Sequence, residues 1–328
     1  MFFMIIDIKI KKMRFLKKHT YKLFLVTLSF VSIVQSCTPV PIGGTTTCDP
    51  NNPPTLTTTT PTLGNWQGTK QTVLYGTDAN QNMDIYLPTV RNTDTKVFVL
   101  IHGGAWNSSS NTTKDEMTLK YLPTLKSHFP NAAFYVLEYR LHQLNTTINR
   151  FPTQENDVVQ ALNFIINRNV SDNVSKKIIL FGASAGGHLA LLTAFKHNGS
   201  NNIKAVVTFA APTDISTVQQ NDGTEIGIAT SNTANQIIPS ITANDSILKY
   251  QSSPVNFVTT TAPPTLFFHG TNDHVVNVNQ SDKLKTALNI KNATHQYQKF
   301  QCENHGFSVT NIKAAINIMH TFINTYVP

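Results

Sequence analysis

Residues 178–187, IILFGASAGG, decide the fold of this 328-residue chain. The first four residues form a continuous apolar run, which is typical of a buried parallel strand. Residues 182–186, GASAG, match the pattern G-x-S-x-G, and a helix-compatible segment continues to Lys196. Small residues around Ser184 permit a sharp turn, because a side chain at either glycine would collide with a neighbouring element. The stretch therefore predicts a strand, a tight turn that exposes the Ser184 hydroxyl, and a helix.

The predicted turn gives Ser184 a chemical role. A helix that starts directly after the serine places its hydroxyl at a helix N-terminus, where partial positive charge favours a developing anion. A serine hydroxyl is a poor nucleophile until a base takes its proton, so a histidine and an orienting acid are expected downstream. Ser184 is therefore the candidate nucleophile, with a glycine-rich structural turn as the alternative.

The rest of the chain places this turn in a larger sheet. From Trp66 onward, short apolar runs alternate with helical patterns, which predicts an α/β fold with a mainly parallel central sheet and helices on both faces. A helix is predicted over residues 155–168. The predicted strands are residues 83–88, 97–101, 133–139, 177–182, 206–209, 265–269 and 296–300.

A second glycine motif, HGGAW at residues 102–106, directly follows the predicted strand 97–101. With this motif the sequence resembles the H-G-G-G-type esterases and lipases of the α/β-hydrolase superfamily. That group includes hormone-sensitive-lipase-like carboxylesterases, sugar-ester esterases and kynurenine formamidases. In these enzymes glycine N–H groups, with the N–H after the nucleophile, bind the oxyanion of the tetrahedral intermediate.

The resemblance implies an oxyanion hole formed by Gly103, Gly104 and Ala185. Ala105 stands where the family has its third glycine, so the expectation is confined to the first two glycines of the loop. His102 precedes the loop and is expected to hold it by hydrogen bonds. Trp106 is the candidate substrate-binding residue, with an ordinary packing role as the alternative.

The resemblance also implies which residues are the catalytic acid and the catalytic base. Residues 269–276, HGTNDHVV, resemble the acid loop of the superfamily and offer Asp273, while residues 303–307, ENHGF, resemble the histidine loop and offer His305. The order Ser184, Asp273, His305 is the nucleophile, acid, histidine order of this fold. These three residues are the candidate catalytic triad.

Other polar residues compete for these roles. His274 could point into the cleft as a second base, whereas His269 ends a strand and is expected to be packed. Asp282 and Glu303 are the fallback acids, both expected to be solvated.

Three further positions are expected to be structural. Arg140 and Asp157 lie in stretches that resemble the same enzymes and are predicted to form an ion pair. Asp214 is interpreted as a turn residue, with a role in shaping the cap entrance as the alternative.

The net charge of +8 is concentrated at the N-terminus. Residues 1–36 contain seven Lys and Arg against one Asp, which leaves 19 basic and 17 acidic residues for the remainder. Because the residues after position 36 have so little excess positive charge, we expect no basic surface that could bind the phosphate backbone of a nucleic acid. No nucleic-acid partner is therefore expected.

The same N-terminus has the layout of an export signal. A cationic stretch precedes the apolar run 23–34, which is too short for a comfortable membrane span. Residues 34–37, VQSC, resemble a bacterial lipoprotein signal that is cleaved before a cysteine, so residues 1–36 are the predicted signal and Cys37 the predicted lipid attachment site. The alternative is an ordinary signal peptide cut near Ser36. Either way the protein is expected to be exported, to the cell envelope or beyond it.

Residues 37–64 are rich in Thr, Pro, Gly and Asn, which predicts a flexible tether. Residues 65–328 form the predicted hydrolase domain, in which 214–263, poor in strong strands, is the candidate cap. The chain has three cysteines. With Cys37 lipidated, Cys48 and Cys302 remain either as a pair in an oxidising compartment or as free thiols.

The function expected from these motifs is a serine carboxylesterase, acting on small-molecule esters or on acyl groups carried by carbohydrates. An amidase, peptidase or aryl formamidase of the same fold is the alternative enzyme. A binding protein that keeps the fold without activity is the alternative of another class. The implied mechanism needs no cofactor, and no cluster in the sequence has metal-ligand spacing.

Overall fold

The computed structural model describes Cys48, residues 53–217 and residues 246–328. All of these residues belong to the compact unit Thr47–Pro328. The predicted export signal, Cys37 and most of the candidate cap lie outside the described residues. Within the described part of the chain, no helix is long and apolar enough to span a membrane.

A sheet of eight strands lies at the centre of the described domain. The strands are β1 (Gly68–Leu74), β2 (Asn82–Pro88), β3 (Val97–Ile101), β4 (Ala133–Leu137), β5 (Ile178–Ala183), β6 (Ile203–Phe209), β7 (Thr265–Gly270) and β8 (His295–Phe300). Their spatial order is β1-β2-β4-β3-β5-β6-β7-β8. β2 pairs antiparallel with β1 and β4, and the pairs from β4 to β8 are parallel. The predicted mainly parallel sheet is confirmed.

β1 is the one described strand that is absent from the prediction. Its sequence, GTKQTVL, has no apolar run, and six of its seven residues are exposed. It is an edge strand that pairs only with β2. Because little of it is buried, no hydrophobic periodicity marks it in the sequence.

Helices cover both faces of the sheet. They are α1 (Lys114–Lys120), α2 (Leu122–His128), α3 (Thr153–Asp172), α4 (Ala185–Lys196), α5 (Ser246–Gln251), α6 (Asn279–Ile290) and α7 (Val309–Tyr326), with short 3-10 helices at Ser108–Ser110 and Pro254–Phe257. The core residues of α3, α4 and α6 belong to the hydrophobic cluster on one face, and those of α1, α2 and α7 to the cluster on the other.

β3 shows how the sequence builds both clusters. All five of its residues are fully buried. Val97, Val99 and Ile101 face the α3–α4 side, whereas Phe98 and Leu100 face the α2–α7 side. Successive side chains of a strand point to opposite faces, so a strand covered on both sides has to be apolar throughout.

Residues 53–64 differ from the predicted flexible tether. They contain no helix or strand, but two asparagine side chains of α7 form hydrogen bonds with them. Asn311 Nδ2 donates to the carbonyl of Pro54 (3.3 Å), and Asn311 Oδ1 accepts from the N–H of Leu56 (3.2 Å). Asn317 Nδ2 donates to Thr58 Oγ1 (2.8 Å). Leu56 also packs against the core, so this part of the segment is docked on the domain.

A disulfide joins Cys48 to Cys302, which are separated by 254 positions in the sequence. The two cysteines are therefore a pair, one of the two alternatives left open by the sequence. Cys302 lies in the loop between β8 and α7, three positions before His305. The bond thus attaches Cys48 to the loop that carries the candidate base.

The candidate cap, 214–263, is described only at residues 214–217 and 246–263. At its entrance Asp214 is a turn residue, as predicted. Its Oδ1 accepts from the N–H of Ser216 (3.2 Å), and its Oδ2 accepts from Lys283 Nζ (3.0 Å). Burial raises the pKa of the Asp214 carboxyl, but the hydrogen bonds from Ser216 and Lys283 outweigh it and leave the pKa below its usual value.

Candidate active site

Ser184 lies in a tight turn between β5 and α4. Its φ of 52° and ψ of −123° are strained for a residue with a side chain. A Cβ at Gly182 would lie 2.3 Å from the carbonyl oxygen of Gly186, and a Cβ at Gly186 would lie 2.1 Å from that of Ile101. Both glycines are therefore required by close backbone approach. The predicted strand, turn and helix are all present.

The HGGAW loop follows β3 and lies beside Ser184. A Cβ at Gly103 would lie 3.3 Å from the Cβ of Ser184. Gly104 has a φ of +92°, and a Cβ there would lie 2.6 Å from Ser110 Oγ. In the described part of the chain the N–H groups of Gly104 and Ala185 have no hydrogen-bond partner. These free donors are available for an anion next to Ser184.

His102 holds this loop, as the sequence predicts. Its ring is fully buried and stacks on Tyr139 with a centroid separation of 4.3 Å. His102 Nε2 contacts Glu138 Oε1 (2.9 Å), and Nδ1 contacts the carbonyl oxygen of Gly103 (2.9 Å). The Tyr139 hydroxyl donates to the carbonyl oxygens of His102 (2.9 Å) and Gly103 (3.1 Å). The loop carbonyls are thus bound by side chains, which fixes the direction of the loop N–H groups.

His305 connects Ser184 to Asp273. Its Nε2 lies 2.9 Å from Ser184 Oγ, and its Nδ1 lies 2.8 Å from Asp273 Oδ2. The His305 side chain is 21% exposed, whereas the Asp273 side chain is fully buried. An acid that accepts from Nδ1–H leaves Nε2 with its lone pair directed at the serine hydroxyl. The structure therefore brings together the three residues of the predicted triad.

Asp273 is kept ionised by its surroundings. Burial raises the pKa of its carboxyl, but hydrogen bonds from His269 and His305 outweigh burial and hold the pKa well below its usual range. Oδ1 also accepts from the N–H groups of Val275 (2.9 Å) and Val276 (2.8 Å). A carboxylate held in this way is a fixed partner for the His305 ring.

The contact between His269 and Asp273 was missed by the sequence analysis. His269 is fully buried, as expected for a packed strand residue, but its Nε2 also lies 3.1 Å from Asp273 Oδ2. Its Nδ1 contacts Ser281 Oγ (2.7 Å). The four-residue spacing between His269 and Asp273 across one turn is the signal in the sequence that could have revealed it.

The expectation that Glu303 is solvated is wrong. Glu303 is 1% exposed, because the start of α7 surrounds its carboxylate with donors. Oε1 accepts from the N–H of Ser308 (3.1 Å), and Oε2 accepts from Ser308 Oγ (2.9 Å) and Asn311 Nδ2 (2.6 Å). Glu303 thus connects the histidine loop to the start of α7 by hydrogen bonds. Asp282, the other fallback acid, is 40% exposed and pairs with Lys299, as expected for a solvated residue.

Trp106 packs in the core and does not line the cleft. It therefore has the packing role that was the alternative to substrate binding. It is 4% exposed and contacts the ring of His188 edge-on, with centroids 5.1 Å apart. His274 is exposed and makes no described contact with Ser184.

The predicted ion pair of Arg140 and Asp157 is present. Asp157 is fully buried, and its Oδ1 lies 2.5 Å from Arg140 Nη2. Asp157 Oδ2 also accepts from the N–H of Arg140 (2.9 Å), and Oδ1 accepts from Gln81 Nε2 (2.8 Å). The pair joins the start of the loop after β4 to α3 and has no described contact with Ser184, so its role is structural.

The described part of the chain contains no group of three or more His, Cys, Asp or Glu residues that could hold a metal ion.

A cavity of about 280 Å³ lies over Ser184 and His305. The cavity is lined by Gly103, Gly104, Ala105, Ser110, Thr112, Glu116, Lys120, Tyr121, Ala183, Ser184, Phe209, Val275, His305 and Gly306.

Comparison with known proteins assigns the chain to a family. The family model BD-FAE matches residues 83–288, well over half of the chain. The chain belongs to the BD-FAE family. This is a family of α/β-hydrolase-like esterases. No curated protein sequence matches the chain.

Solved structures with the same fold include three esterases. A truncated carbohydrate esterase from gut microbiota is 23% identical over 80% of this chain and 98% of its own, with a TM-score of 0.65. Carboxyl esterase 2 from the mycorrhizal fungus Tuber melanosporum is 17% identical over 80% and 90%, with a TM-score of 0.65. Esterase B from Lactobacillus Rhamnosis is 19% identical over 79% and 86%, with a TM-score of 0.60. These similarities confirm the α/β-hydrolase fold.

Replacement of the buried acid tests the geometry of the site. We expect Asp273→Asn to lower kcat on 4-nitrophenyl acetate by about 10⁴-fold, because an amide in place of the carboxylate stabilises the wrong histidine tautomer. Asp282→Asn removes a carboxylate of the same kind from the surface and is the matched control, expected to keep the wild-type rate. Equal rates for the two variants would show that Asp273 does not orient the base.

Proposed function

We propose that this protein is a serine carboxylesterase that cleaves carboxylic esters through an acyl-enzyme intermediate. The proposal rests on one observation, the chain of contacts from Ser184 Oγ to His305 Nε2 (2.9 Å) and from His305 Nδ1 to Asp273 Oδ2 (2.8 Å). Membership of an esterase family supports it.

The proposed reaction has two halves. Ser184 Oγ attacks the ester carbonyl while His305 Nε2 takes its proton, and the carbonyl oxygen becomes an oxyanion. The N–H groups of Gly104 and Ala185 donate to this oxyanion, together with that of Gly103. His305 then gives its proton to the leaving alcohol, which breaks the ester bond and leaves an acyl group on Ser184. Water, activated by His305, releases the acid and restores the serine.

Acyl groups carried by carbohydrates are the proposed substrates. One of the similar structures is named a carbohydrate esterase, and another is named an acetyl ester-xyloside bifunctional hydrolase. The cleft itself offers hydrogen-bonding side chains beside the nucleophile, including Ser110, Thr112, Glu116 and Lys120. Such a lining suits a hydroxylated substrate better than a purely apolar one.

We further propose that the protein is exported and carries lipid on Cys37, which tethers it to a membrane of the cell envelope. The Cys48–Cys302 disulfide supports export, because disulfides persist in oxidising compartments. The layout of the N-terminus supports the lipid anchor.

Mass spectrometry of the mature protein tests the proposed anchor. The expected N-terminal peptide begins at Cys37 and carries lipid, while Cys48 and Cys302 are recovered as one cross-linked peptide pair. A mature chain that begins at an unmodified residue other than Cys37 contradicts the anchor, and a leader that is still attached contradicts export.

Ester hydrolysis is tested by a panel of substrates with the wild-type protein and Ser184→Ala. We expect the wild type to hydrolyse acetyl and feruloyl esters faster, in kcat/KM, than an aryl formamide or a peptide. Ser184→Ala is expected to abolish turnover with an unchanged Tm, because it removes one hydroxyl from the cleft and none of the core. Activity confined to the formamide or the peptide would favour the alternative enzymes. A folded wild type that is inactive on every substrate would favour a binding protein.

A further inference from the structure

One wall of the cleft is formed by α1. Glu116 and Lys120, four positions apart, lie on the same side of this helix and line the cavity that contains Ser184 and His305. Lys120 Nζ donates to the carbonyl oxygen of Gly306 (2.6 Å), next to the candidate base. Neither residue has a role in the two halves of the proposed reaction, so their position in the cleft needs a separate explanation.

Glu116 has an unsatisfied acceptor in this wall. Its Oε2 is buried and has no hydrogen-bond partner among the described residues. The nearby Lys120 does not form an ion pair with it. A Cβ at Gly103 would lie 3.7 Å from Glu116 Oε2, so this oxygen lies beside the oxyanion loop. It is therefore within reach of a group held over Ser184.

An unpaired carboxylate oxygen is unfavourable at this position for two reasons. A buried acceptor without a donor keeps its desolvation cost, and its negative charge opposes the oxyanion that forms nearby. A hydrogen-bond donor supplied by the substrate removes the desolvation cost and reduces the repulsion between Glu116 and the oxyanion. Substrates that bring such a donor are thereby favoured over substrates that do not.

We infer that Glu116 accepts a hydrogen bond from a free hydroxyl of the sugar that carries the ester, and so selects hydroxylated substrates. This inference rests on the proposed function. The neighbouring side chains fit a hydroxyl rather than a cation, because the Lys120 amino group lies on the same wall and disfavours a second positive charge. Ser110 and Thr112 also line the cavity and add hydroxyl groups to it.

Two esters with rings of the same size measure this selectivity. Monoacetylated glucose offers hydroxyls next to the ester, and cyclohexyl acetate offers none. We expect Glu116→Met, which keeps the length of the side chain without an acceptor, to lower the ratio of kcat/KM for the sugar ester to that for cyclohexyl acetate roughly 10- to 100-fold. Glu116→Gln keeps a neutral acceptor and is expected to lower the ratio only severalfold.

Asp115→Asn is the matched control, because it removes the same charge from the exposed side of α1. Its ratio is expected to equal that of the wild type. An unchanged ratio in Glu116→Met overturns the inference, and an unchanged ratio in Glu116→Gln does so if the Met variant does not fold. Acetylcholine cleaved faster than either ring ester also overturns it. A wild type inactive on both ring esters and on 4-nitrophenyl acetate instead overturns the proposed function.

Discussion

The close backbone approach at Gly186 is the constraint on which the site depends. Its Cα lies so near the end of β3 that a Cβ would come within 2.1 Å of the Ile101 carbonyl oxygen and 2.4 Å of that of His102. This contact places the start of α4 directly against the chain that continues into the HGGAW loop. Ser184, at the N-terminus of α4, therefore lies beside that loop, and the two are attached to the adjacent central strands β5 and β3.

Asp273 and His305 lie on the opposite side of Ser184 from the HGGAW loop. β7 and β8 lie beyond β6 in the sheet, and their carboxyl ends carry Asp273 and the His305 loop. The loop is held at three points, by the Cys302 disulfide, by Glu303 and by the bond from Lys120 to Gly306. In each half of the site, buried polar groups with satisfied hydrogen bonds position the reacting side chains.

Features marked by local sequence could be predicted, and features made by distant contacts could not. Continuous apolar runs predict the buried strands, and glycines around Ser184 and in the 102–106 loop predict tight turns, because each pattern reflects a constraint within a few residues. The burial of Glu303 depends on α7, and the docking of Pro54 depends on Asn311, which is 257 positions away. β1 has no periodic signal because little of it is buried. The cleft position of Glu116 has none because it depends on residues such as Ser184 and His305, which are distant in the sequence.

The proposed reaction requires that the turn between β5 and α4 presents an activated serine. A fluorophosphonate ester forms a stable bond to such a serine, because the serine oxygen displaces fluoride and the phosphonyl oxygen occupies the oxyanion site. Peptide mass spectrometry of the labelled protein gives the modified residue. We expect one phosphonyl group per chain, on Ser184, and we expect His305→Ala to lose the labelling. A folded protein that stays unlabelled, or one labelled at another residue, would contradict the proposed reaction.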